Sequence, residues 1–244
     1  MNNFSLYHNE SQIHLQSGAS GYLPEIVYGG IDGVITTFAV VAGAAGANMS
    51  IKTILILGFA NLIADGFSMS VGNYFSTKAN RDNYYKHFAR ENWEIDHLRE
   101  REIEEIRDIY IAKGFRGKLL DSVVEVIISD RKVWLETMMK DELGLILEEK
   151  RPIQTAAATF FSFVGVGFIP LFAFTFLSAF NFHSSELFYI SCLSTGLALG
   201  IIGYFKSRVT QKNAWFSILE TLALGGLAAA LAFYIGNWLE QFIR

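Results

Sequence analysis

The stretch VYGGIDGVITTFAVVAGAAGA, residues 27 to 47, is long and apolar enough to cross a bilayer, yet it carries a carboxylate, Asp32. Hydrocarbon offers no partner for a peptide group, so a run this apolar crosses as a helix that satisfies its own backbone. A charge at that depth costs roughly 3 kcal/mol or more, which makes Asp32 a candidate for handling something polar. The first run extends over residues 26 to 49, and others lie near 51 to 76, 153 to 180, 186 to 206 and 214 to 239. Charged residues make up only 18% of the chain, against roughly 25% in an ordinary soluble domain. The fold class predicted is an all-α membrane protein with five transmembrane helices.

Orientation follows from the basic residues, because cytoplasmic loops hold an excess of Lys and Arg. Of the 20 in the chain, 15 lie between Lys78 and Arg151, and Lys206, Arg208 and Lys212 lie in the link before the last helix. Five crossings put both segments on one side, which is expected to be cytoplasmic. The N-terminus is then inside and the C-terminus outside. The first 20 residues hold no basic residue and no long apolar core, so they do not read as a cleaved signal peptide. Residues 1 to 21 are expected to be a cytoplasmic tail, 22 to 76 transmembrane helices 1 and 2, and 152 to 244 helices 3 to 5. His8, Glu10 and His14 are read as an exposed polar tail rather than a weak accessory site. A net charge of −4 without a basic tail argues against nucleic acid. The single cysteine, Cys192, excludes a disulfide framework.

Residues 77 to 151 are charged and helix-favouring, and are expected to form a cytoplasmic three-helix domain. Its first helix should run from Tyr74 towards Lys113, with a possible break near Ile95 to Leu98 and Gly114 as its stop. The second should cover Lys118 to Ile128. The third should follow an N-cap at Ser129 and continue through VWLETMMKDELGL towards Glu149. With Glu91 at 0° on a helical wheel, Glu94 falls at about 300°, Glu102 at about 20° and Glu105 at about 320°. The same stripe holds Ile95, Leu98, Ile106 and Ile109. Carboxylates on a packed face must be paired or bind a cation. In TMMKDEL, Met138 and Met139 stand four and three residues before Glu142, so either thioether can share its face. Carboxylate with thioether suits a transition metal, with Fe²⁺ and Mn²⁺ leading, over Mg²⁺ or Ca²⁺.

Polar and small residues also align within the membrane runs. Gly29, Asp32, Thr36, Ala39, Gly43 and Gly46 share one face of the first helix. Asn61, Asp65, Ser68, Met69, Gly72 and Ser76 share one of the second. Small residues are normal at helix contacts, but two acids and a methionine are not, so these seams are read as a cation path.

These segments resemble the vacuolar iron transporters, membrane proteins that move Fe²⁺ and Mn²⁺ out of the cytosol. GGIDGVITTFAVVAGAAGA is similar to that family's first helix, ADGFSMSVGNYFS to its second, TMMKDELGL to the end of its cytoplasmic domain, and KSRVTQKNAWFSILETLALGGLAA to its last two helices. The resemblance implies a homodimer of five-helix subunits, a metal path at the dimer interface and a cytoplasmic metal-binding domain. It places Asp32 and Met69 on the path, and Glu91, Glu94, Glu102, Glu105, Met138, Met139 and Glu142 on the cytoplasmic ligands. Asn61 stands where plant members carry Glu, and Asp65 supplies an acid one turn on. Glu220 stands where Gln is expected, and is read as an interfacial acid.

The function implied is export of Fe²⁺ or Mn²⁺ from the cytoplasm in exchange for protons, across a plasma, inner or vacuolar-type membrane. No cofactor and no catalytic residue are expected. One rival is a membrane-bound di-iron carboxylate enzyme, but Glu94 and His97 supply one Glu-x-x-His motif where such sites use two. The other is a membrane-anchored metal sensor or storage module, which would need the glutamates and not the seams.

Overall fold

The computed structural model describes residues 21–148, 150–180 and 182–243, and the regular elements are all helical among them. The N-terminal tail, with His8, Glu10 and His14, lies outside the described residues, as does Arg244. In chain order the α-helices are α1 (Leu23–Gly46), α2 (Ile51–His97), α3 (Arg99–Ala112), α4 (Gly117–Ser129), α5 (Arg131–Thr137), α6 (Pro152–Gly167), α7 (Ile169–Phe172), α8 (Ser184–Thr210) and α9 (Ala214–Ile243). A π-turn, Met138–Glu142, extends α5. Another π-turn, Ala173–Leu177, and a 3₁₀ turn, Ser178–Phe180, extend α7. Five segments are long and apolar enough to cross a membrane: α1, the apolar part of α2, Pro152–Phe180, α8 and α9.

Two compact units result. One joins the described residues up to Tyr74 with the chain from Pro152 onward, and the other is Phe75–Arg151.

In the first unit, α1 is the hub. It starts three residues earlier than the apolar run suggests, because Pro24 in its first turn is already set for helical φ. It stops at Gly46, where Asn48 turns left-handed and the Met49 amide closes on the Ala44 carbonyl. Ser50 then caps α2, its Oγ accepting from the Thr53 amide at 3.2 Å. Along α1 a Cβ on Gly33 would overlap the Phe163 carbonyl of α6, and one on Gly46 would overlap the Phe233 carbonyl of α9. The core behind these contacts holds Val41, Ile54, Leu62, Phe163, Leu171, Phe174 and Leu187. Phe161, Leu193, Leu197 and Leu231 point outward, as helices facing lipid require.

The second unit has its own core of Ile95, Ile106, Leu120, Val124, Ile127, Trp134, Leu135 and Met138. The break foreseen in its first helix occurs at Leu98, at φ −124° and ψ 34°, so the wheel drawn through Glu91 and Glu105 does not hold as one helix. Arg131 secures the chain just before the break, donating to Asn92 at 3.0 Å and to Asp96 at 2.5 Å. Gly114, at φ +99°, follows α3 as its stop. Two expectations are corrected. The cap of α5 is Asp130, whose carboxylate accepts from Lys132 and Val133, while Ser129 turns back to the Val126 carbonyl. The last helix ends at Glu142 rather than near Glu149, because Gly144 turns left-handed at φ +64° and the Leu145 amide closes on Met139.

Gly33→Ala should therefore force α1 off α6 and destabilise the protein by about 1–3 kcal/mol. Gly165→Ala, where a Cβ meets nothing within 4 Å, should be neutral or slightly stabilising. Unfolding midpoints in detergent test the pair, and equal midpoints would mean that the close approach at Gly33 does not hold the bundle.

Candidate metal centre

Glu91 and Glu94 come from the last turns of α2, beyond its apolar stretch, and Glu102 from the first turn of α3. Each offers an oxygen within 4.8 Å of the others. All three are buried, at 3%, 8% and 0% exposure. The break at Leu98 does not scatter them, since acids before and after it turn towards the same space.

The partners divide the stripe. Arg90 donates to Glu94 and Arg101 to Glu105, each at 3.0 Å and at i,i+4 spacing. Glu91 Oε2 and both oxygens of Glu102 have no hydrogen-bond partner among the described residues. Burial, and then the charges of Glu142 and Glu94, push the Glu91 carboxyl from its ordinary 4.5 up to about 7. Burial also pushes Glu102 to about 7, with Glu105, Glu91 and Glu94 adding to it. Glu142 is raised by burial and by Glu105 and Glu94. Five carboxylates thus share one field, with two arginines against them, and the orphaned oxygens fit a divalent cation.

The methionines separate. Met138 packs in the apolar core with Ile95, Ile106 and Trp134. Met139 is equally buried, at 1% exposure, but lies outside that cluster. Both sit in the π-turn, where the Leu143 amide reaches five residues back to the Met138 carbonyl. That widened turn replaces the α-helical spacing by which either methionine was matched to Glu142, and such turns often mark functional sites. His97 does not join the glutamates. Its ring stacks on Trp93 at 4.3 Å, and its Nδ1 lies 2.8 Å from the Trp93 carbonyl.

In the membrane unit, Asp32 is half-buried and its electrostatic neighbour is Asp65. Thr36 turns its hydroxyl to the Asp32 carbonyl at 2.8 Å. Asn61 buries an amide nitrogen without a partner among the described residues. Met69 packs against the apolar core, while Ser68, Gly72 and Ser76 are exposed. Gly29, Gly43 and Gly46 of the first seam serve close contacts with α6 and α9. The acids are not explained that way. Sequence reasoning missed Asn73, whose amide donates to Thr159 at 2.6 Å, and the pairing of Arg90 and Arg101, which their i,i+4 spacing signals. Glu220 is paired with Lys206 at 2.8 Å, in keeping with an interfacial acid.

Comparison with known proteins gives one consistent result. Residues 23–237 match the VIT family. A vacuolar iron transporter of Plasmodium berghei (strain Anka) is 36% identical, over 97% of this chain and 89% of that protein. One from Toxoplasma gondii (strain ATCC 50861 / VEG) is 33% identical, over 92% and 76%. Vacuolar iron transporter 1 of Arabidopsis thaliana is 32% identical, over 97% and 93%. These are names of transporters, not of enzymes, and the di-iron enzyme reading of the glutamates falls with them.

The raised glutamates set a pH dependence of stability. In metal-free protein the folded state holds protons that the unfolded chain releases near 4.5, so this stabilisation is complete below 4.5 and is lost as pH rises towards 7. Unfolding of chelator-treated protein should therefore move to lower temperature between pH 5 and 8, and Glu102→Gln should flatten the change. Added Mn²⁺ should stabilise more at pH 8 than at pH 6, because ionised carboxylates bind it better. An identical pH profile for the wild type and Glu102→Gln would remove the raised proton affinity of Glu102, and equal stabilisation of both by Mn²⁺ would remove Glu102 from the cation site.

Proposed function

The chain belongs to the VIT family, which supports metal transport, and from that premise we propose that it moves Fe²⁺ and Mn²⁺ out of the cytoplasm in exchange for protons. The observation that carries this reading is the juxtaposition of Asp32 and Asp65 within apolar helices. A sensor or storage module would use the glutamates alone and has no need of that pair.

In this reading Phe75–Arg151 is a cytoplasmic capture domain. Glu91, Glu94, Glu102, Glu105 and Glu142 with Met139 are its ligands, and Met138 is their packed support. Five carboxylates, each with two oxygens to offer, exceed together with Met139 what one six-coordinate ion needs, so more than one ion is held. Carboxylate oxygens accept any divalent cation, and a thioether biases the set towards a transition metal.

Asp32 and Asp65 do the exchange. A carboxylate pair in low dielectric cannot easily hold two uncompensated charges, so it carries protons between loads and gives them up when a divalent ion arrives. If the path opens alternately to the two sides, metal leaves as protons return, and the proton gradient drives export. Asn61 presents a polar amide along the same helix, and Met69 favours a partly dehydrated transition metal over Mg²⁺.

A single subunit presents only one side of such a path, and a twofold pair is the commonest way to complete it. The active species is therefore a homodimer with the seams at its axis. Cysteine placed at Ala39, in a Cys192→Ser background, should crosslink between subunits. Exclusive monomer in bilayers would remove this part of the reading.

Reconstituted protein should take up Fe²⁺ anaerobically, driven by a pH gradient. Asp32→Asn should bring flux and coupled proton movement to background, while Asp65→Asn should shift the pH dependence. Near-normal, gradient-driven transport by Asp32→Asn would show that Asp32 only joins helices.

A further inference from the structure

The link between α8 and α9 carries charge that transport does not use. Lys212 stands in it and Lys206 and Arg208 in the last turns of α8 just before it, and the acid facing them is Glu220. Glu220 pairs with Lys206 at 2.8 Å and acts on Lys212 only through space, so a single acid faces three cations. Lys212 has no ion-pair partner among the described residues.

Arg208 is already held in place. Its Nε and Nη2 donate to the Tyr204 hydroxyl at 3.2 Å and 2.6 Å, and the guanidinium lies 5.2 Å from the ring centroid. Nη1 has no hydrogen-bond partner among the described residues. Gln211 turns left-handed at φ 54° and reverses the chain, so that Lys212 stands beside Arg208. Together with Tyr204, Ser207 and Ala214 these residues line a cavity of about 330 Å³. The 30-residue helix α9 begins at its edge, adding the partial positive charge of a helix N-terminus.

The surroundings say what kind of anion fits. Trp215 and Phe216 are each 76% exposed immediately beyond the cavity, and Phe205 is 52% exposed beside it. Exposed aromatic rings at the ends of membrane-crossing helices lie at the level of lipid headgroups. A soluble anion has no use for them, whereas a phospholipid sets its phosphate on the cations and its glycerol and upper chains on the rings.

We propose that this cavity is a headgroup site for an anionic phospholipid, with Arg208 and Lys212 holding the phosphate and Trp215 and Phe216 the apolar shoulder. The site is separate from the metal ligands and does not depend on the transported ion.

Full-length protein in neutral-detergent micelles is titrated with palmitoyl-oleoyl phosphatidylglycerol, the matching phosphatidylcholine, or inorganic phosphate, and bound lipid is counted by native mass spectrometry. Phosphatidylglycerol should bind more tightly than phosphatidylcholine and resist millimolar phosphate. Arg208→Gln with Lys212→Gln should weaken it roughly 30-fold, about fivefold per cation. Lys118→Gln with Lys132→Gln, an equal charge change in the other unit, should leave it unaltered. Size exclusion checks folding, and if the double variant fails that check, Lys212→Gln alone decides, with a loss of about fivefold. Unchanged phosphatidylglycerol binding in the folded variant overturns the proposal. So does equal binding of the two lipids, and so does displacement by inorganic phosphate, which would make the cavity a free-anion site.

Discussion

Lipid cannot hydrogen-bond a peptide group, so each crossing must close its own backbone and the helices can be told apart only by their surfaces. In α1 that surface is reduced to backbone at Gly29, Gly33 and Gly46, where α6 and α9 approach to distances a methyl group would forbid. Dispersion over such close contacts holds helices together where the hydrophobic effect gives no help. Fixing α1 between α6 and α9 also fixes the azimuth of its remaining residues. Asp32 lies on the stripe of Gly29 and Gly46 but has Asp65 of α2 as its electrostatic neighbour, so packing and chemistry are set by one rotation of one helix.

The two groups of acids solve different problems. In Phe75–Arg151 the glutamates are buried beside arginines that neutralise only Glu94 and Glu105, and the remaining charge is left for protons or a metal to balance. Replacing Glu91 and Glu102 by apolar residues would relieve their desolvation and improve the core, so their retention is a cost in stability exchanged for a site. The membrane acids instead stand as a half-buried pair among small and polar neighbours. That setting suits an ion that must leave again.

Much of this was legible in the residues, for physical reasons that also explain what was not. Apolar runs and punctuation by Gly114 and Pro152 announce helices because length and breakers act locally, while the start that Pro24 gives α1 was overlooked. The convergence of Glu91, Glu94 and Glu102 was legible because acids among Ile95, Leu98 and Ile106 violate the usual separation of charge from core. The break was foreseen only as a possibility near Ile95 to Leu98, since no glycine or proline marks it, and it falls at Leu98, just after the stretch that Arg131 holds. The π-turn was equally hidden. Met138 and Met139 look alike in sequence, and only the register of that turn sends one into the core and leaves the other outside it. Asp130 outcompeted Ser129 as a cap because its carboxylate reaches two amides at once.

The one-residue break at Leu98 divides the ligand set between two rods. Glu91 and Glu94 belong to the rod that Arg131 clamps, Glu102 and Glu105 to the one that follows. The distance between the two pairs is therefore a backbone angle rather than a choice of rotamers. A small rotation about Leu98 widens or narrows the bite for all four oxygen donors together. In the capture domain proposed above, ionic radius would then be read as a torsion, through the stiffness of a joint instead of the shape of a pocket.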